Sequence, residues 1–201
     1  MNGKEMNEER FYQLKIRLLD IEPEIWRRFV VPADISLDRL HDVIQMVMGW
    51  NDTHLYEFTI GKKRYTESPE SPKDGLESGR YRLGDLIRQE GRTFLYRYDF
   101  DDDWKHELIL EDSRFFEPGL ICLEGERASP PEDVGGVPEY NEFCKAAKEP
   151  QNEEDLELLR WMDGEFDSEY LDIDAINWIL ARYLRWSRKR LLEWDPIDWA
   201  E

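Results

Sequence analysis

Cysteine and histidine are scarce in this chain, and bases are too few for its acids. Its two cysteines, Cys122 and Cys144, belong to no CxxC pair, which excludes a disulfide framework. No apolar run approaches the roughly 20 residues that cross a bilayer. The opening MNGKEMNEER is polar with no apolar h-region, so no secretory signal is expected and residues 1–10 read as a frayed leader. A cytoplasmic setting with reduced thiols follows as the expectation. There is no GxxxxGKS/T or GxGxxG loop to cradle a nucleotide, no GxSxG elbow and no HExxH pair. No internal repeat is visible.

Only 27 bases stand against 46 acids, a net charge of −19. Residues 128–174 hold 15 acids and 3 bases, whereas residues 175–201 hold 4 and 5. A field of this sign repels phosphate backbones, which disfavours nucleic acid and anionic membranes as partners. Solubility is the plain reading of the acidity. What the chain has in plenty is aromatic residues, 13% of the total with eight tryptophans. At 201 residues it is long enough to bury a core of large rings as one domain, residues 1–201.

Residues 94–110, FLYRYDFDDDWKHELIL, organise the rest. Phe94, Tyr96, Tyr98 and Phe100 alternate with Leu95, Arg97 and Asp99, and Trp104, His106, Leu108 and Leu110 with Lys105, Glu107, Ile109 and Glu111, which is the period of strands with one buried face. The turn Asp101-Asp102-Asp103 is too charged to bury, so the pair reads as an antiparallel hairpin. Tyr12, Leu14, Ile16 and Leu18 mark an earlier strand, residues 25–31 a second, and His54, Tyr56, Phe58 and Ile60 a third. Between them, Ser36 as N-cap, the stripe Leu37, Leu40, His41, Ile44, Met48 and the stop Gly49 predict one long helix. Residues 61–80 read as a polar loop, 83–89 as a short helix and 120–123 as a short strand. Helices are expected at 138–149, 153–163 and from about Asp172 onward. Together these predict an α+β fold: a mostly antiparallel, mixed sheet, a long helix packed on it, and a C-terminal helical layer, with residues 175–201 as an extension. Trp178, Trp186 and Trp194 of that extension are expected to pack, with Arg182, Arg185, Arg188, Lys189 and Arg190 pairing with the acidic 128–174 segment.

Several of these stretches occur in order in one family. Pro23 with Ile25-Trp26-Arg27-Arg28, Leu40-His41 through Met48-Gly49-Trp50, His54-Leu55, Tyr98-Asp99-Phe100, Asp103-Trp104 with His106, and Pro130-Pro131-Glu132-Asp133 with Gly135-Gly136 all fit it. Over residues 12–174 the chain resembles the plasmid pRiA open-reading-frame-three-like family, some of whose relatives are labelled passengers of insertion elements. The resemblance implies an α+β fold and no particular activity. Asp101 departs from the glycine expected in that turn, and Pro138-Glu139-Tyr140 from the usual Gly-Tyr step.

Candidate site residues follow from the hairpin and the Pro-Pro-Glu-Asp loop. Tyr98 and Trp104 beside Asp102 and Asp103, with Glu132 and Asp133 opposite, suggest an aromatic and acidic groove for a peptide or small cationic ligand. Arg27 is expected to pair with a carboxylate, or alternatively to clamp a substrate anion. The only histidines, His41, His54 and His106, each fall on an apolar face. A buried histidine is ordinarily a hydrogen-bonded core residue; three on one core can also converge with Asp103, Glu132 or Asp133 as ligands of zinc or another divalent metal. The Glu132-Asp133 loop has a metal-free reading too, as an acceptor of histidine or arginine hydrogen bonds that locks the hairpin to the sheet. A non-enzymatic binding or accessory module is the leading expectation. A metal-dependent hydrolase on the three histidines comes second, and a nucleic-acid role linked to mobile elements third.

Overall fold

The computed structural model describes residues 10–116, 119–161 and 166–192, without the side chains of residues 161 and 186–192. The expected leader (save Arg10), Trp194, and the side chains of Trp186, Arg188, Lys189 and Arg190 lie outside that description.

Alternation builds β1 (Phe11–Leu18) and β2 (Trp26–Pro32), which pair antiparallel. The long helix α1 (Leu37–Met48) follows, stopped at Gly49, whose φ of 79° and N–H to Gln45 O close the last turn. The third strand, β3 (Tyr56–Ile60), starts two residues later than the alternation suggested, so His54 sits in the turn ahead of it. Within the expected polar loop 61–80 the chain instead forms β4 (Lys63–Thr66), β5 (Leu76–Glu77) and a single 3-10 turn, Ser78–Arg80. Tyr65 anchors this addition, buried against the core while Lys63 and Arg64 before it stay exposed.

Next come the short helix α2 (Leu83–Leu86) and the hairpin of β6 (Thr93–Tyr98) and β7 (Trp104–Phe115). Strand β8 (Ile121–Glu126) and helices α3 (Gly136–Lys148), α4 (Glu153–Trp161) and α5 (Ile173–Leu192) complete the described chain. The eight strands run in the order β5-β4-β3-β6-β7-β1-β2-β8, antiparallel except for the parallel β4–β5 pair. The fold is therefore α+β with a mixed sheet, as expected.

One face of the sheet is the core. Tyr12, Leu14, Ile16, Phe29, Phe58, Phe94, Tyr96, Leu108 and Leu110 meet Leu40, Ile44 and Val47 of α1 there. The helix α5 adds Ile176 and Leu180 to that cluster. Its Trp178, expected to pack, is 61% exposed beneath the Arg182 guanidinium instead. The other sheet face is wet and laced with ion pairs: Arg17 to Glu107, Arg28 to Glu111 and Glu124, and Arg97 and Lys105 to Asp103. Among the described residues no helix is long and apolar enough to cross a membrane.

Candidate functional site

At one end of the sheet three irregular segments meet: the turn before β3, the β6–β7 turn, and the loop before α3. The β6–β7 turn is built on Asp99. It adopts the left-handed conformation (φ 54°), which aspartate tolerates better than most residues. Its Oδ1 accepts the N–H groups of Asp101 (3.0 Å) and Asp102 (3.3 Å). The left-handed positions of this turn are Asp99 and Asp103, not Asp101, so the departure from glycine at 101 costs no backbone strain.

The loop 130–136 is sewn onto that turn. Trp50 Nε1 donates to Pro130 O at 2.9 Å. Glu132 accepts from Asn51 N (3.1 Å), Thr53 Oγ1 (2.9 Å) and the Tyr98 hydroxyl. Burial, reinforced by that carboxylate, pushes the Tyr98 phenol up to about 12. Gly135 N donates to Asp102 Oδ2 at 3.0 Å. The adjoining Gly136, at φ 87°, lies so close that a Cβ there would come within 2.7 Å of Asp102 O.

His54 faces the centre of this assembly. Its Nε2 is 2.9 Å from Asp133 Oδ1, 3.6 Å from Asp99 Oδ2 and 3.9 Å from Glu132 Oε1. Its ring packs edge-on to Tyr98, with centroids 5.8 Å apart. Donor atoms of His54, Asp99 and Asp133 all lie within 4.8 Å of one another. Among the described residues no lysine or arginine pairs with Asp99, Asp102, Glu132 or Asp133. The fold gives them backbone N–H, hydroxyl and imidazole partners instead.

The other two imidazoles do not join His54. His41 stacks flat on Tyr56 (3.7 Å, 11°), with Nδ1 2.7 Å from Tyr96 Oη and Nε2 2.7 Å from Asp52 Oδ1. Both nitrogens are engaged, and burial lowers its pKa despite the neighbouring Asp52. His106 is fully buried, edge-on to Trp50, with Nδ1 3.3 Å from Tyr96 O. The metal set of three histidines is thus not assembled: His41 and His106 sit about Tyr96 in the core, while His54 meets the rim carboxylates.

The remaining predicted site residues separate as well. Tyr98 and Trp104 are each 1% exposed and form the packed floor under the rim, not an open groove. Asp102, Glu132 and Asp133 are at the rim, while Asp103 turns to the wet face and pairs with Arg97 and Lys105. The neighbouring Arg28 pairs with Glu111 and Glu124, but Arg27 meets no carboxylate among the described residues. Only 2% exposed, Arg27 donates to the carbonyls of Val47 (3.1 Å), Trp26 (2.7 Å) and Glu126 (2.8 Å) and to Ser129 Oγ (3.2 Å). Four of its five N–H groups are spent inside the fold, and burial draws its pKa down to about 10. Cys122 is buried, which pushes its thiol up to about 11 and leaves it unreactive at neutral pH. Sequence reasoning passed over Asp99 as a site residue. The available signal was an aspartate at a strand end, two and three residues ahead of free N–H groups, the pattern of an Asx turn.

An α+β protein with a mixed eight-stranded sheet and an acidic rim is the class these features define. The chain belongs to the plasmid pRiA4b ORF-3-like protein family, whose model matches residues 10–175. It is similar to an uncharacterised Sinorhizobium fredii protein, y4hQ, with 37% identity over 185 residues covering 88% of this chain and 94% of that one. A solved structure, the Methanosarcina mazei protein of unknown function MM3350, matches with a TM-score of 0.75 and 34% identity over 83% of this chain and 97% of the other.

Proposed function

We propose that this protein is a non-catalytic binding module whose rim receives positively charged ligand groups, such as an ammonium or guanidinium on a peptide or small molecule. One observation carries the reading: Asp99, Asp102, Glu132 and Asp133 are held rigidly together with no lysine or arginine partner among the described residues. Charges placed this way favour an arriving cation and speed its approach. The hydrolase reading loses its ligand set, because His41 and His106 are committed to the core. A nucleic-acid role runs against the net charge of −19.

Titration of the isotopically labelled protein with tetralysine, followed by amide and imidazole NMR shifts, tests the reading. Shifts should concentrate at His54, Asp101, Asp102 and Gly135 and weaken as salt rises. Shifts that spread evenly over exposed acids such as those of α4, or no shifts at all, would refute it.

A further inference from the structure

We infer that the rim also binds one divalent transition-metal ion, held by His54 Nε2, Asp99 Oδ2 and Asp133 Oδ1. This rests on the reading of the rim as a cation receptor and names the ion its centre fits. The three ligand atoms come from three separate segments, each fixed by its own hydrogen bonds. Around an ion bound at about 2.1 Å, neighbouring donors lie about 3.0–3.4 Å apart. His54 Nε2 stands 2.9 Å from Asp133 Oδ1 and 3.6 Å from Asp99 Oδ2, which brackets that spacing.

Asp99 supplies an independent reason. Its side chain is almost wholly buried, Oδ1 is used by two backbone N–H groups, and Oδ2 faces His54 Nε2 at 3.6 Å with no shorter donor among the described residues. Holding a carboxylate largely out of water is costly, and a metal ion beside Oδ2 would offset that cost more fully than the imidazole 3.6 Å away. Glu132 and the Tyr98 ring form the surrounding layer that fixes the ligands. Half-exposed His54 and well-exposed Asp133 leave further coordination positions open to water. One imidazole nitrogen with two carboxylate oxygens suits manganese, iron, cobalt, nickel or zinc better than magnesium or calcium, which favour all-oxygen sets.

The test is calorimetric titration of the chelator-treated full chain with zinc, with visible absorbance of the cobalt(II)-loaded protein as a second readout. One ion per chain is expected, with the d–d bands of cobalt bound to nitrogen and oxygen. Affinity should fall at least about tenfold in each of His54→Gln, Asp99→Asn and Asp133→Asn. Asp133→Asn guards against misfolding, since Asp133 is exposed and asparagine tolerates its φ of 59°. No stoichiometric zinc, or zinc bound equally well by the His54→Gln and Asp133→Asn proteins, overturns the assignment. Tetralysine shifts at the rim without zinc binding would sink the metal site alone; absence of both would sink the binding reading with it.

Discussion

His106 should make the fold acid-labile by an amount that its burial sets. The ring is fully buried between Trp50 and Tyr96, and its Nε2 has no hydrogen-bond partner among the described residues. Burial lowers its pKa from 6.5 to about 3, against the opposing pull of the backbone at Tyr96 and Trp104. Between those two values the unfolded chain carries a proton on this ring that the folded chain refuses. The stability due to the neutral ring is therefore complete above about pH 6.5 and drains away as pH falls toward 3. Two pH units below 6.5 the loss is roughly 2.7 kcal/mol, at about 1.36 kcal/mol per unit. Glu111, whose pKa its Arg28 hydrogen bond depresses, also loses stabilisation on acidification, so wild-type data alone do not isolate the ring. His106→Phe keeps a ring in the same place and removes the titration. Urea unfolding of both proteins from about pH 7 to about pH 4.5 should show the variant gaining roughly 2.7 kcal/mol on the wild type over that range. A difference that stays constant with pH would refute the reasoning.

Two further substitutions test how the rim and its support are held. Arg27→Met strips donors from the Val47, Trp26 and Glu126 carbonyls and should cost about 2–3 kcal/mol, read as a lower urea midpoint; an unchanged midpoint would mean that those carbonyls find other partners. Gly136→Ala forces a side chain into a left-handed position 2.7 Å from Asp102 O and should cost about 1–3 kcal/mol, with faster amide exchange at Gly135. Exchange at Gly135 that matches the wild type would show that the loop is not sewn to the turn.

The fold was legible where one period ran uninterrupted. Tyr12, Leu14, Ile16 and Leu18 all face the core, and the α1 stripe buries Leu37, Leu40, His41, Ile44 and Met48 as its spacing requires. It was not legible in residues 61–80, because β4 and β5 owe their existence to pairing. A four-residue strand with one buried side chain, Tyr65, and a two-residue strand carry too little pattern to be seen before β3 offers its edge. Trp178 misled for a related reason: α5 turns Ile176 and Leu180 inward, and the tryptophan between them falls on the outer side of the helix.

Periodicity tells which way a side chain faces but not how far along the face it lies, and this decided the site. His41 and His106 point inward toward the middle of the sheet around Tyr96, whereas His54, just ahead of β3, points inward at its end. Alternation also fails where the strand stops. By that pattern Asp99 belongs on the wet face with Arg97, yet its left-handed backbone folds the carboxylate back into the turn and toward His54. The ion pairs then set the acids of the wet face apart from those of the rim. On the wet sheet face Glu24, Glu107, Glu111, Glu124 and Asp103 each meet a lysine or arginine. Solubility is served by such exposed acids and gains nothing from a carboxylate that is only 4% exposed, as Asp99 is. The cation receptor proposed for the rim would give that carboxylate the counter-charge its burial calls for.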